Sequence, residues 1–255
     1  PRPSEKWIAQ YYQDSDYQPH QKEALSLSGK LYQLVRIWNN RYKRRLIEKF
    51  SAKGKIMDYG CGTGEFLLEM KNSGWETFGF EPASSAAAIA ADYGLNIIPD
   101  LSSIKEKVNV ITLWHVLEHV HDARTLLVEL KKILDPAGLL CIALPNRQSL
   151  DAALFKQNWV AYDAPRHLYH FSAADLEKFL NSEGFKIDSI KSLPFDPWYN
   201  SLLSASLEFR KRRLKLLSIG LLKSIFTAVA VNFLSFLSKK NNSSIIYLTK
   251  LKSGD

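Results

Sequence analysis

Along most of the chain, short runs rich in Ile, Val, Leu and Phe alternate with longer stretches in which apolar residues recur every three or four positions. The runs predict strands at 54–59, 76–80, 95–98, 108–114, 138–144, 185–191 and 244–250. The longer stretches predict helices at 63–73, 83–93, 123–134 and 173–183, with "LDPAG" and "NSEGF" supplying proline and glycine stops. Such alternation predicts an α/β fold, a doubly wound and mostly parallel sheet with helices on both faces. No internal repeat or low-complexity segment interrupts it.

Ahead of the first strand, Leu31, Leu34, Val35, Trp38 and Tyr42 keep helical spacing, which predicts a core-facing helix over 30–50 with a solvated Lys/Arg face. Residues 11–20 carry Tyr11, Tyr12, Tyr17 and His20 without any period and predict a lid over a cleft. The expected organisation is an N-terminal lid and helix (1–50), a binding core (51–192), a helical insertion or cap (193–241) and a final strand (242–255).

"IMDYGCGTGEF" places three alternating glycines, Gly60, Gly62 and Gly64, after a strand that ends near Asp58. A glycine turn between strand and helix lets a nucleotide lie against the backbone. A dinucleotide fingerprint would need glycine at position 65, where Glu65 stands and would repel a pyrophosphate. No Lys-Ser or Lys-Thr pair follows, so the phosphate-cradling loop is excluded too. The turn suits a nucleoside without a phosphate, and Asp58 beside it suits a cationic group. Glu81, about twenty residues on at the end of the second strand, stands where a ribose-binding acid is expected; by itself it would read as a solvated strand end.

"IMDYGCGTGEF", "GFEP", "IPDL", "VITLWHVLEHVHD" and "LDPAGLLCIALPN" together resemble class I S-adenosylmethionine-dependent methyltransferases, most closely the group of ubiquinone-biosynthesis O-methyltransferases and their bacterial relatives. The resemblance covers about residues 54–192. It implies a Rossmann-like seven-stranded sheet with the last strand antiparallel, and S-adenosylmethionine as cofactor. It implies cofactor contacts at Asp58, Gly60, Cys61, Gly62, Glu81, Pro82, Asp100, Leu101, Trp114 and His115. Asp100 also reads as an N-cap for the segment starting at Leu101.

The reaction implied is an in-line displacement at a sulfonium methyl, in which alignment does most of the work and a base assists a protonated nucleophile. His115 and His119 in "WHVLEH" and His167 in "APRHLYHF" are the catalytic candidates, with His167 the favoured base. Tyr11, Tyr12, Trp159, Tyr162 and His170 are candidates for a substrate wall, the alternative being a packed loop whose histidines bond to carbonyls. If "HVLEH" is helical, His115 and His119 share a face. Some relatives place a divalent metal on Glu-x-x-Glu-His here, but His115 stands at the first glutamate, and a hard cation prefers oxygen ligands. No metal is expected.

Composition adds two points. Cys61 and Cys141 have no metal spacing and suggest free thiols in a reducing, cytoplasmic setting. The net charge of +8 is confined to residues 205–255, which hold 10 of the 34 basic residues and 2 of the 26 acidic ones. It clusters at "RKRRLK" (210–215), ahead of an apolar stretch whose uncharged part, 224–238, is too short to span a bilayer. This reads as an insertion packing on the sheet or a second subunit, or as peripheral membrane contact through 210–238. The expected acceptor is small or lipid-like and methylated at oxygen. Alternatives are a nucleic-acid methyltransferase, disfavoured because "WHVL" stands where a base-flipping "NPPY"-type motif would follow the fourth strand, and a catalytically silent binding relative.

Overall fold

The computed structural model describes residues 2–11, 27–212, 222, 225–231, 233–234 and 241–252. Tyr12, Tyr17 and His20 of the expected lid lie outside the described residues. The strands are β1 (Lys55–Tyr59), β2 (Glu76–Phe80), β3 (Asn96–Ile97), β4 (Val108–Trp114), β5 (Leu134–Pro145), β6 (Phe185–Ser192) and β7 (Ser244–Leu251). Their interiors are apolar on both faces because helices cover both faces; Met57, Val110, Ile111 and Leu140 through Ala143 are all fully buried.

These seven strands form one sheet in the order β3-β2-β1-β4-β5-β7-β6. β7 alone runs against its neighbours, pairing antiparallel with both β5 and β6. All seven expected strands are present. β5 begins earlier than predicted, because Leu134 pairs with Val108 across an irregular register and "LDPAG" enters the sheet. The order reverses between β1 and β4, so the crevice outside their carboxyl ends is the natural ligand position.

The longer helices up to residue 212 are α1 (Leu27–Glu48), α2 (Glu65–Asn72), α3 (Ser84–Asp92), α4 (Ala123–Ile133), α5 (Leu150–Phe155), α6 (Ala173–Ser182) and α7 (Asp196–Arg212). α4 and α6 bury Leu127, Leu130, Leu176 and Leu180 on one face of the sheet. α1 and α2 bury Leu46, Ile47, Phe66 and Met70 on the other.

The predicted face of α1 is corrected. Leu34 and Trp38, expected in the core, are exposed, whereas Lys43 turns inward. Ion pairs from Arg36 to Glu65 (2.7 Å) and from Arg44 to Glu69 (2.8 Å) dock the helix on α2 and set its rotation. The long connection after β5 is also more ordered than a bare loop. It contains α5 and two 3₁₀ turns, and packs Ala152, Phe155, Trp159 and Ala161 against Ala205 of α7.

Candidate active site

The glycine turn is tied to β2 by two backbone bonds, from the N–H groups of Gly60 (2.7 Å) and Cys61 (3.0 Å) to the Phe80 carbonyl. All three glycines have positive φ, at +75°, +54° and +82°. Their surroundings differ. A Cβ on Gly60 would lie 2.6 Å from Val116, and one on Gly64 would lie 2.4 Å from Leu95, while Gly62 has nothing within 4 Å. Gly62 is therefore the glycine that faces open space. The Cys61 thiol is buried, which pushes its pKa up to about 12 and leaves it inert.

Glu81 lies across the turn. One carboxylate oxygen accepts from Gly62 N–H (2.8 Å) and the other from Ala83 N–H (2.9 Å). These bonds aim the carboxylate while leaving lone pairs for a ligand. Asp100 is exposed and caps the turn Leu101–Ser103 by accepting from Ser102 N–H (2.8 Å). The cap weighed from sequence is thus formed. Pro82 is exposed and Leu101 half-buried at the same rim.

Asp58 is buried and accepts from the Thr112 hydroxyl (2.5 Å). Burial pushes its carboxyl up to about 7, with Thr112 and the Lys43 charge pulling the other way. A bound cation would complete its ionisation. Lys43 lies over the Trp114 ring, 4.4 Å from the centroid, and burial pulls its ammonium pKa down. Sequence reading missed Lys43 because it assigned that helix face to solvent.

Beyond Trp114 the backbone does not continue as the helix considered for "HVLEH". His115 has φ +57° and only Leu117–His119 forms a 3₁₀ turn, so His115 and His119 do not share a helical face. His115 Nε2 instead lies 3.2 Å from Asp196 of α7, and Nδ1 lies 3.5 Å from Glu118. Burial favours the neutral ring, but the two carboxylates outweigh it and push the pKa up to about 9. Asp196 was not visible as a site residue, since nothing local in the sequence marks it.

Glu118 is buried and neither carboxylate oxygen has a hydrogen-bond partner. Burial opposes its charge, yet His115, His167 and His119 hold its pKa below the usual carboxylate range. His167 Nε2 lies 4.0 Å from Glu118 and 3.8 Å from Asp163, and its Nδ1 is 2.9 Å from the Ala161 carbonyl. His119 Nδ1 is 3.1 Å from the Arg166 carbonyl, and the two rings meet edge to face at 4.5 Å. With Nδ1 of His167 on the Ala161 carbonyl, its Nε2 is the nitrogen turned toward Glu118 and Asp163.

Ligand atoms of Glu118, His119 and His167 come within 4.8 Å of one another, a spacing that admits a divalent ion. His115, whose pKa the two carboxylates raise, already lies 3.5 Å from Glu118 and would compete with a cation there.

The aromatic wall is only partly as expected. Trp159 is buried and donates its indole N–H to Asp151 (2.8 Å), so it supports the wall from behind. Tyr162 packs edge-on against both Trp159 and His170, and His170 Nε2 is 2.8 Å from the Tyr162 carbonyl. Tyr11 is exposed and Tyr12 lies outside the described residues.

A family model described as "Methyltransferase domain" matches residues 33–190. The chain is 24% identical over 159 residues to the ubiquinone biosynthesis O-methyltransferase of Azorhizobium caulinodans, which covers 56% of this chain and 63% of that protein. It is 22% identical over 166 residues to the enzyme of the same name from Xanthomonas oryzae pv. oryzae, covering 58% and 70%. Among solved structures, magnesium protoporphyrin IX methyltransferase from Synechocystis PCC 6803, with S-adenosylhomocysteine bound, superposes with a TM-score of 0.60 at 14% identity over 98% of this chain and 100% of that one. The [4+2]-cyclase SpnF superposes with a TM-score of 0.57 at 16% identity, covering 84% and 81%. With a glycine turn, an aimed Glu81 and this family match, the chain belongs to the methyltransferase domain family, as an S-adenosylmethionine-dependent enzyme of the class I fold.

Proposed function

We propose that this enzyme transfers a methyl group to an oxygen atom of a small or lipid-like acceptor without a metal. The observation that carries the reading is the His167 imidazole, with Nδ1 on a carbonyl and Nε2 beside the buried Glu118, in the loop that follows β5. Glu81 binds the ribose hydroxyls of the cofactor and Asp100 its adenine. Asp58 faces the α-ammonium of its methionine part, while Lys43 attracts the carboxylate. Trp114 and His115 bound the methyl end.

The cofactor, held there, would supply an electrophilic sulfonium methyl, with S-adenosylhomocysteine as its leaving group, for in-line attack by the acceptor hydroxyl oxygen. His167 Nε2 would take the hydroxyl proton. Glu118 stabilises the imidazolium as it forms. The curated relatives named above are O-methyltransferases, which supports oxygen as the acceptor atom. We read the location as cytoplasmic, in keeping with the two buried free thiols, and the 210–238 region as a peripheral membrane contact.

Incubation with labelled S-adenosylmethionine and fractionated lipid, glycan, small-molecule and RNA extracts tests the acceptor class. Label is expected in the lipid or small-molecule fraction, and exclusive labelling of RNA would overturn the reading. Labelling of no fraction despite cofactor binding would favour the silent relative. Chelator is expected to leave activity intact; loss restored by added divalent ion would make His167 a ligand and not the base. Glu81→Ala is expected to weaken S-adenosylhomocysteine binding by about 2–4 kcal/mol, as two charge-assisted bonds are lost. Unchanged affinity by calorimetry would remove the ribose assignment.

A further inference from the structure

α7 buries Asn200, Ser201 and Ser204 beside Ala205, while Trp198, Tyr199 and Leu202 face solvent. The next helical stretch repeats the pattern. Leu222, Ile225, Phe226, Val229 and Phe233, spaced by three and four, lie on one exposed face, with Phe226 73% exposed. Thr227, Ala228 and Val231 are buried on the opposite one. A packed insertion would bury those large side chains; an outward apolar row of this kind marks an interaction surface.

Two further observations select the occupant. All of the chain's excess positive charge lies in residues 205–255, with "RKRRLK" between the two exposed apolar rows. A second copy would bring two such basic segments together and repel, whereas anionic headgroups complement them. α7 also begins at Asp196, which holds His115 in the active site, so the exposed Trp198 and Tyr199 stand within one turn of the cleft.

We propose that α7 and the 222–233 face form a docking surface for an anionic bilayer. The apolar row sits among the upper acyl chains and Trp198 and Tyr199 lie at headgroup level, while the excess positive charge of residues 205–255 draws the protein to anionic lipid. Among the described residues no helix is long and apolar enough to cross a membrane, so the contact is one of lying on the surface. This deepens the acceptor reading and rests on it, because docking turns the mouth of the cleft toward lipid.

The test is sedimentation of the full chain with vesicles of phosphatidylcholine alone or mixed with phosphatidylglycerol, at low and high salt. Two variants are compared, Phe226→Glu with Phe233→Glu, and Arg210→Glu with Arg212→Glu and Arg213→Glu. The parent protein is expected to pellet with the anionic vesicles at low salt and to be released by high salt. Each variant is expected to bind about tenfold more weakly or worse. Both should keep S-adenosylhomocysteine binding, which separates failure of docking from failure of the methyltransferase reading. Absence of pelleting at low salt, equal binding to neutral vesicles, or a dimer that only the Phe226→Glu/Phe233→Glu variant disrupts would each overturn the proposal.

Discussion

Gly60→Val abolishes binding of S-adenosylmethionine and S-adenosylhomocysteine in calorimetry. The sequence alone suggests that a side chain here would fill the ligand's space, but the geometry gives a different cause. The Gly60 φ of +75° is one that a β-branched residue adopts only with strain of about 1–3 kcal/mol. The added Cβ would also lie 2.6 Å from Val116, inside the protein and not in the cleft. Relieving that clash must move the Gly60 and Cys61 N–H groups off Phe80, and with them the Gly62 N–H that aims Glu81. The loss is therefore one of turn geometry and should be accompanied by a lowered melting temperature. Gly62→Ala is the informative companion. Its φ of +54° costs an alanine about 1–2 kcal/mol, but its Cβ meets no protein atom within 4 Å, so it should fold and yet bind cofactor more weakly. Retention of parental affinity by both variants would show that the turn is not the cofactor cradle.

The sheet was legible because a doubly covered parallel strand must be apolar along its length, as β4 and β5 are, and because glycines interrupt the pattern only where a turn demands them. The glycine turn was legible because Gly60 and Gly62 share one short segment, and Glu81, after β2, meets it through the Gly62 N–H. What escaped the sequence depends on distant partners. Lys43 sits on a helix face whose orientation follows from the Arg36–Glu65 and Arg44–Glu69 pairs, and charge alone argued for solvent. His115 and His119 looked like a helical pair, but the backbone turns left-handed at His115 to place its ring between Glu118 and Asp196. Asp196 itself lies 81 positions beyond its partner in the numbering, and no local period could connect them. Trp159 sits deeper than its sequence context suggests. Its aromatic character suggested a substrate wall, whereas the buried Asp151 that takes its N–H draws it into the interior.

His167→Ala lowers turnover by about 10²–10⁴-fold with cofactor affinity little changed, equivalent to about 2.7–5.5 kcal/mol of transition-state stabilisation. Burial pushes the His167 pKa down from 6.5 to about 4, with the Glu118 and Asp163 carboxylates opposing the shift. The ring is thus neutral and ready to accept a proton at pH 7. Its proton affinity is low even though the Glu118 charge, 4.0 Å away, already favours the imidazolium that forms during transfer. The pH dependence follows with a definite sign. Because the folded pKa is depressed, the basic form persists as pH falls through 6.5 and is lost only near 4, so the acid limb of kcat/KM should lie near 4. Over the same window the unfolded chain takes up a proton that the folded ring refuses, so this group makes stability fall as pH is lowered from about 6.5 to about 4. Glu118→Gln removes the charge that favours the imidazolium and should lower turnover without moving cofactor affinity. Steady-state kinetics from pH 4 to 9 on the parent and both variants provide the check. Parental turnover in His167→Ala, or an acid limb that survives there unchanged, would leave alignment of the nucleophile as the whole of the catalysis.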